Sequence, residues 1–269
     1  MDQTKRLQLK SVGNCGVLIT PEEDPETESV LVDGIFGETP YFSPLPKEVK
    51  KACFGMGDDY RDIRYLIFTH RHQDHFHAGF LKSYVRKNRV QTVIVPPAGT
   101  DPTSYLEDRG SVKDVAAVCR LEEPALSLGE HQYFSLAEND SQGSSTAEYM
   151  CCRHLDSRTY PAVGHCAVLL THAGRRLLFL ADADTSEDNK ALLADIHEPD
   201  AVFVTPLFYL DPRGRHILSA MSPKRTFLYH IPFPEDDMTG LKALAVKLLK
   251  EHTEDETLQI FEAGDTVMV

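Results

Sequence analysis

The chain has 269 residues, 42% of them hydrophobic and 26% charged, with a formal net charge of −13. That length is ample for one sizeable core. The acidic balance disfavours a general affinity for nucleic acid or an anionic membrane, since both need clustered Lys and Arg.

Short apolar runs between turn signals predict strands at "LQLKSV" (7–12), "CGVLI" (15–19), "SVLVDG" (29–34), "YLIFTH" (65–70) and "VQTVIVP" (90–96). The acidic "TPEEDPETES" (20–29) reads as a solvated hairpin loop. Apolar residues at helical spacing predict a helix in "HAGFLKSYVRK" (77–87), and a second is expected around "SVKDVAAVCR" (111–120). The polar "ENDSQGSSTA" (138–147) reads as a loop. Strands follow at "EYMCCRH" (148–154), "HCAVLLT" (165–171), "RRLLFLAD" (175–182), "AVFVTPLF" (201–208) and "RTFLYHI" (225–231). Helices are expected at "SEDNKALLADIH" (186–197) and "MTGLKALAVKLLKEH" (238–252), and a strand, turn and strand in "LQIFEAGDTVMV" (258–269).

No linker or fixed-period repeat divides the chain, so one domain over 1–269 is expected. Periodicity alone leaves two arrangements open: two sheets packed together under helices, or one doubly wound sheet. The six cysteines form no CxxC pair and read as reduced and mostly buried. "MDQTKRLQLK" has no apolar signal region, and no apolar run approaches the roughly 18 residues of a membrane span. A cytoplasmic protein is the expectation.

"THRHQDHFHAG" (69–79) holds four histidines and an aspartate where a buried strand ends. In an extended segment, residues two apart point to one side, so His70 and His72 can converge on one point. Asp74 can follow them, and His75, at the turn into the helix, projects differently and can serve a neighbouring point. Imidazole and carboxylate suit zinc, manganese or iron. His77 lies beyond this pattern and is assigned either to the pocket wall, as a substrate contact, or to the helix face.

"THRHQDHFHAG" closely resembles the metal-binding motif of the metallo-β-lactamase superfamily. The resemblance implies an α/β fold: an αβ/βα four-layer sandwich of two mixed sheets packed face to face and flanked by helices. It also implies three further ligands: a histidine, an aspartate and a late histidine. His154, ending a strand, takes the first place, with His165 as competitor. Asp182 takes the second, in "RRLLFLADAD", where Ala181 stands for the family's glycine and Asp184 is a weaker candidate. His230 takes the third. His216 and His252 are placed in loop and helix and left out.

"AGDTVMV" spells the family's Gly-Asp-Thr more closely, but it follows His230, so Asp265 is read as part of a turn. "SVLVDG" resembles the family's strand ending in Asp-Gly. That makes Asp33 a carboxylate that orients ligands; a simple Asp-Gly turn fits as well. "SVGNCGVLI" resembles the opening hairpin of the branch that includes ascorbate-6-phosphate lactonase.

The resemblance implies that His70, His72 and His154 hold one divalent ion and Asp74, His75 and His230 another, with Asp182 bridging. Asp74 is counted as catalytic as well as a ligand. The ions are expected to be Zn2+, with Mn2+ or Fe2+ as alternatives. The implied activity is hydrolysis by a metal-bridging hydroxide of a small, anionic substrate: a lactone, phosphodiester, amide or thioester. Arg71, Arg153, Arg158, Arg213 and Arg215 are the cations near the proposed loops, and Phe208 and Tyr209 are placed at the pocket. A mononuclear iron oxidoreductase resembling the persulfide dioxygenases is the alternative from another reaction class, and a non-catalytic metal-binding protein is the third reading.

Overall fold

The opening hairpin forms as its alternation predicts. In β1 (Leu7–Val12), Leu7 and Leu9 are buried while Gln8 faces solvent, and β1 runs antiparallel to β2 (Gly16–Pro21). The turn between them needs Gly13. Its φ is +70°, and a Cβ there would lie 2.6 Å from the Phe36 ring. The computed structural model describes residues 5–23, 28–96, 112–137, 145–155 and 164–269.

The hairpin is part of a seven-stranded mixed sheet, ordered β14-β1-β2-β3-β4-β5-β6. Its other strands are β3 (Val30–Val32), β4 (Tyr65–Ile67), β5 (Thr92–Ile94), β6 (Arg120–Glu122) and the terminal β14 (Thr266–Met268). From β3 to β6 the pairing is parallel. The second sheet also has seven strands, ordered β13-β12-β11-β10-β9-β8-β7. They are β7 (His131–Ser135), β8 (Ser145–Cys151), β9 (Cys166–His172), β10 (Arg175–Ala181), β11 (Ala201–Val204), β12 (Thr226–Leu228) and β13 (Leu258–Ile260). Pairing is antiparallel from β7 to β10 and parallel from β10 to β13.

The two sheets meet face to face. Leu9, Val17, Ile67, Tyr149, Phe179, Phe203 and Phe227 fill the space between them, with Phe179 stacked on Phe203 at 4.5 Å. Helices α1 (Lys47–Cys53) and α2 (Ala78–Lys87) bury Val49, Leu81 and Tyr84 on the outer face of the first sheet. On the outer face of the second, α3 (Glu187–Leu192), α4 (Pro206–Leu210), α5 (Pro212–Met221) and α6 (Leu241–Glu251) bury Phe208, Ile217 and Leu248. The four-layer αβ/βα sandwich is therefore the architecture, and the doubly wound alternative falls. Among the described residues, no helix is long and apolar enough to cross a membrane.

Local departures have local causes. The helix expected at 111–120 is a short 3-10 helix, Val112–Ala117, and the chain then joins the sheet as β6. The strand expected to run through Phe208 stops at Val204, because Thr205 caps α4 and Pro206 opens it. The next segment repeats the device. Asp211 accepts the Arg213 N–H and Pro212 begins α5, so His216 is helical rather than in a loop. Strand β8 begins at Ser145, inside the segment read as a loop, and 138–144 lie outside the described residues. Helix α1 and strand β7 were not expected from periodicity.

Candidate metal centre

The parallel strands of both sheets end at one edge of the sandwich. Asp33 follows β3, His70 to His75 follow β4, Asp182 follows β10 and His230 follows β12. His154 follows β8 and bridges to Ala183. Three of these strand ends turn through left-handed backbone at a residue other than glycine: Asp33 (φ 47°), Ala181 (φ 47°) and His230 (φ 63°). Such conformations are costly and gather where geometry is imposed by function. Ala181 holds this left-handed backbone where the resemblance expects a glycine, the residue that adopts it without strain.

The fold brings the seven expected residues together as two groups sharing Asp182. One is His70, His72, His154 and Asp182; the other is Asp74, His75, Asp182 and His230. Within each group the candidate ligand atoms all lie within 4.8 Å of one another. Asp182 faces both. Its Oδ2 is 3.6 Å from His70 Nε2 and 3.4 Å from both His154 Nε2 and His75 Nε2, and its Oδ1 is 3.6 Å from His230 Nε2. Asp74 Oδ2 approaches His230 Nε2 at 3.3 Å.

Asp33 sets ring orientation on both sides. It is fully buried, and its Oδ2 accepts from His75 Nδ1 at 3.0 Å and from the Thr69 hydroxyl at 2.7 Å. Its Oδ1 accepts the Thr69 N–H at 2.9 Å. Since the Thr69 hydroxyl proton is spent on Asp33, Thr69 Oγ1 accepts from His70 Nδ1 at 3.1 Å. One buried carboxylate thus directs the Nε2 atoms of His75 and His70 inward. His154 Nδ1 donates to the Leu155 carbonyl, which turns its Nε2 toward Asp182 in the same way.

The protonation pattern suits cations. Burial, then the surrounding imidazoles, push His70 well below its ordinary value, and burial and His154 bring His72 down to about 4. Both are neutral near pH 7, the form that ligates metal. The buried Nε2 of His70 has no hydrogen-bond partner among the described residues, as a lone pair aimed at an ion would. Burial works against charge on Asp182, but His230 and His75 overcome it and hold the carboxyl well below its usual range. His75 moves the other way: burial opposes its proton, but the surrounding Cys15, Asp182, Asp74 and Asp33 raise it well above an ordinary histidine. Its Nε2 is 2.8 Å from His230 Nε2, a contact that needs a proton between two nitrogens. A cation placed there would relieve the same crowding. The residues therefore fit two divalent ions.

The competitors have other duties. His165 is buried, accepts the Asp182 N–H through Nε2 at 3.2 Å, and faces the Cys152 thiol with Nδ1 at 3.0 Å. It holds Asp182 in place from behind. Asp184 accepts from Ser186 N and Asn189 Nδ2 at the start of α3. Asp265 accepts the Glu262 N–H in the turn before β14. His77 caps α2, its Nδ1 accepting the Phe80 N–H at 3.0 Å. Arg71 is bound to Pro96 O and Glu123, Arg153 to Asp188, Arg213 to Asp211 and Arg215 to the carbonyls of Tyr209 and Leu210. Arg158 lies outside the described residues. Tyr209 donates to Asp255, on the side of α4 facing α6.

Several neighbours were not found from the sequence. Cys15 donates to the Asp74 carbonyl at 3.1 Å and lies within 4.8 Å of the His75 and His230 nitrogens. Phe42 sets its ring edge against His230, 4.7 Å between centroids. Ser43 keeps it there: Asn14 binds the Ser43 backbone twice and Phe233 N donates to the Ser43 hydroxyl. Beside Asp182, a depression of about 190 Å³ is lined by Leu155, Ala183, Asp184, Phe208, Asp211 and Arg213 among others. A larger one of about 490 Å³, near Arg215 and His252, holds none of the seven.

No protein-family model and no curated protein matches the chain. Solved structures do. YhfI from Bacillus subtilis, a metallo-β-lactamase fold protein, is 14% identical with a TM-score of 0.57, over 98% of this chain and 100% of that one. The chain has the metallo-β-lactamase fold. Igni18, a metallo hydrolase from Ignicoccus hospitalis, shares this fold at 11% identity and a TM-score of 0.58, with 98% of each chain covered. So does CmlA, a diiron β-hydroxylase from Streptomyces venezuelae, at 18% identity and a TM-score of 0.57, over 100% of this chain and 54% of that one. At these identities the likeness is one of fold, and the metallo-β-lactamase fold here ends its strands at the histidine and aspartate cluster.

Proposed function

We propose that the protein is a metal-dependent hydrolase that works with two divalent ions on a small, anionic molecule. One observation carries this reading: the single carboxylate of Asp182 faces histidine Nε2 atoms of both groups within 3.6 Å. His70, His72, His154 and Asp182 would hold one ion, and Asp74, His75, His230 and Asp182 the other, with Zn2+, Mn2+ and Fe2+ all compatible with such donors. Bound divalent ions would lower the pKa of water to about 7 and polarise a substrate oxygen.

The chain's own residues supply orientation and charge. Asp33 and Thr69 hold His70 and His75 in the tautomers that point Nε2 inward. Asp74 and Asp182 together bring two negative charges against four positive ones, so the centre stays cationic and attracts an anionic group. Arg71, Arg153, Arg213 and Arg215 are tied to protein oxygens. Substrate charge is therefore read mainly at the centre, with Arg213 at the adjoining depression as a secondary contact. Phe42 forms an apolar wall beside His230. A lactone, phosphodiester, thioester or amide fits this chemistry.

The test is a hydrolysis screen of these four classes with protein whose Zn2+ or Mn2+ content has been measured. The expected result is turnover of one class that chelation removes and metal restores. Consumption of oxygen by protein holding one iron per chain, with no hydrolysis, would overturn the reading in favour of an oxidoreductase.

A further inference from the structure

Two of the six cysteines face each other. Cys151 ends β8 and Cys166 begins β9, and they are direct partners in the antiparallel register. The pair beyond them is tied by the Cys152 N–H donating to the His165 carbonyl at 3.0 Å. In an antiparallel ladder hydrogen-bonded and non-hydrogen-bonded pairs alternate. The pairing of Cys151 and Cys166 is therefore of the open kind. Their backbone donors confirm it, since the Cys151 N–H goes to Glu130 O and the Cys166 N–H to Thr69 O, away from one another. In such pairs the Cα atoms lie about 4.5 Å apart, within the roughly 4.4–6.8 Å that a disulfide spans.

Both side chains belong to the inter-sheet face, packed on one apolar cluster. The neighbouring Cys166 draws the Cys151 thiol below its ordinary value. Cys151 is half-buried and Cys166 buried. The other cysteines contrast with this. Burial pushes Cys15 and Cys53 up to about 12 and Cys119 up to about 11. Cys152, on the opposite face of β8, is engaged by His165.

We propose that Cys151 and Cys166 form a reversible thiol–disulfide site, closed by a peroxide. The half-exposed Cys151 sulfur attacks the O–O bond of hydrogen peroxide, giving a sulfenic acid and one water. The Cys166 sulfur then attacks the sulfenic sulfur, forming the S–S bond and releasing a second water. Two thiols lose two electrons and two protons, and peroxide is reduced to two waters. Closure ties the strand that leads to His154 to the strand preceded by His165, which holds the Asp182 amide. The bond would thus join two supports of the same metal group.

The experiment treats the reduced, folded full chain with one equivalent of hydrogen peroxide, alkylates it, and maps thiols by mass spectrometry. The expected result is loss of two of the six thiols, a Cys151–Cys166 linked peptide pair, and full reversal by dithiothreitol. The bond should persist in Cys152→Ser, which separates Cys151 from its neighbour on the same peptide. In Cys166→Ser, dimedone should trap a sulfenic acid on Cys151, and this holds for any variant whose circular dichroism matches the parent. Six thiols left free, a bond that uses another cysteine, or Cys151 sulfinic acid beside a reduced Cys166 would each overturn the proposal.

Discussion

The two halves of the candidate metal centre share Asp182 but are held differently. The Asp74, His75 and His230 half is enclosed by Asp33, Cys15 and Phe42, and in the absence of metal it draws in a proton. In the His70, His72 and His154 half, burial keeps His70 and His72 neutral, and the third histidine hangs from the end of β8. One half resembles a filled cation site with a proton in place of the metal; the other offers the unprotonated rings of His70 and His72. The electrostatics are opposite because burial and then the surrounding imidazoles lower His70, whereas Cys15, Asp182, Asp74 and Asp33 raise His75 against its burial.

Breaking what the halves share should have the largest effect. Asp182→Ala removes a carboxylate from both, and hydrolytic turnover should fall to background, whereas Asp265→Ala should leave it unchanged. Equal loss in the two variants, measured on any substrate found in the screen, would show that the shared carboxylate is misplaced. Next come the single-half variants. His154→Ala should cost one ion per chain and leave the enclosed half loaded, and His230→Ala should do the reverse. His165→Ala should keep both ions with weaker affinity. Plasma emission on dialysed protein reads all three, and metal lost from His165→Ala but kept by His154→Ala would exchange their roles.

Asp33→Asn sharpens the comparison from behind. Asparagine cannot accept from Thr69 and His75 as the carboxylate does, so affinity should fall roughly 10–100-fold in both halves. A loss confined to one half, in competition titrations with a chelator, would break the proposed relay through Thr69.

Acidity should separate the halves by sign and window. His72 stays unprotonated down to about pH 4, so protons compete with a metal at His72 only as pH approaches 4. His75 is raised above its ordinary value, so a metal must displace its proton. Affinity in the enclosed half should therefore already fall as pH drops below that raised value. In the metal-free protein the stability contributions are opposite. His72, depressed on folding, costs stability as pH falls from its unfolded value of about 6.5 toward 4. His75, raised on folding, contributes stability at low pH that is lost as pH rises through its folded value. Calorimetry in buffers of different ionisation enthalpy should find more proton release on filling the enclosed half; equal release from both would contradict the assignment.

The smallest effect is expected at Ala181→Gly. Glycine relieves the left-handed φ of 47° but loosens the unfolded chain, so a net gain of up to about 1 kcal/mol in urea unfolding is expected.

Much of this was legible in the sequence. Residues 70–75 carry four donors at strand-to-helix spacing, which pattern alone could reach, whereas His154, Asp182 and His230 were reached through the family resemblance that this motif carries. What stayed hidden depends on long-range packing. Ser43 meets Asn14 and Phe233, far apart in the chain, and nothing local marks Phe42 as the wall against His230. Asp33 could be read as a turn or as an orienting group until its bonds to Thr69 and His75 were seen. The short helices α4 and α5 were missed although Thr205-Pro206 and Asp211-Pro212 announce them, because apolar continuity outweighed the caps. His77, read as a pocket contact or a helix-face residue, caps α2 through an N–H three residues on, a role its sequence neighbours did not announce.

The central claim is that two ions share Asp182. Anomalous diffraction at the metal edge, on crystals of the metal-loaded protein, tests it most directly. The account predicts two peaks on either side of the Asp182 carboxylate, one among His70, His72 and His154 and one among Asp74, His75 and His230. A single peak at saturating metal, or a pair in which Asp182 contacts only one ion, would contradict it.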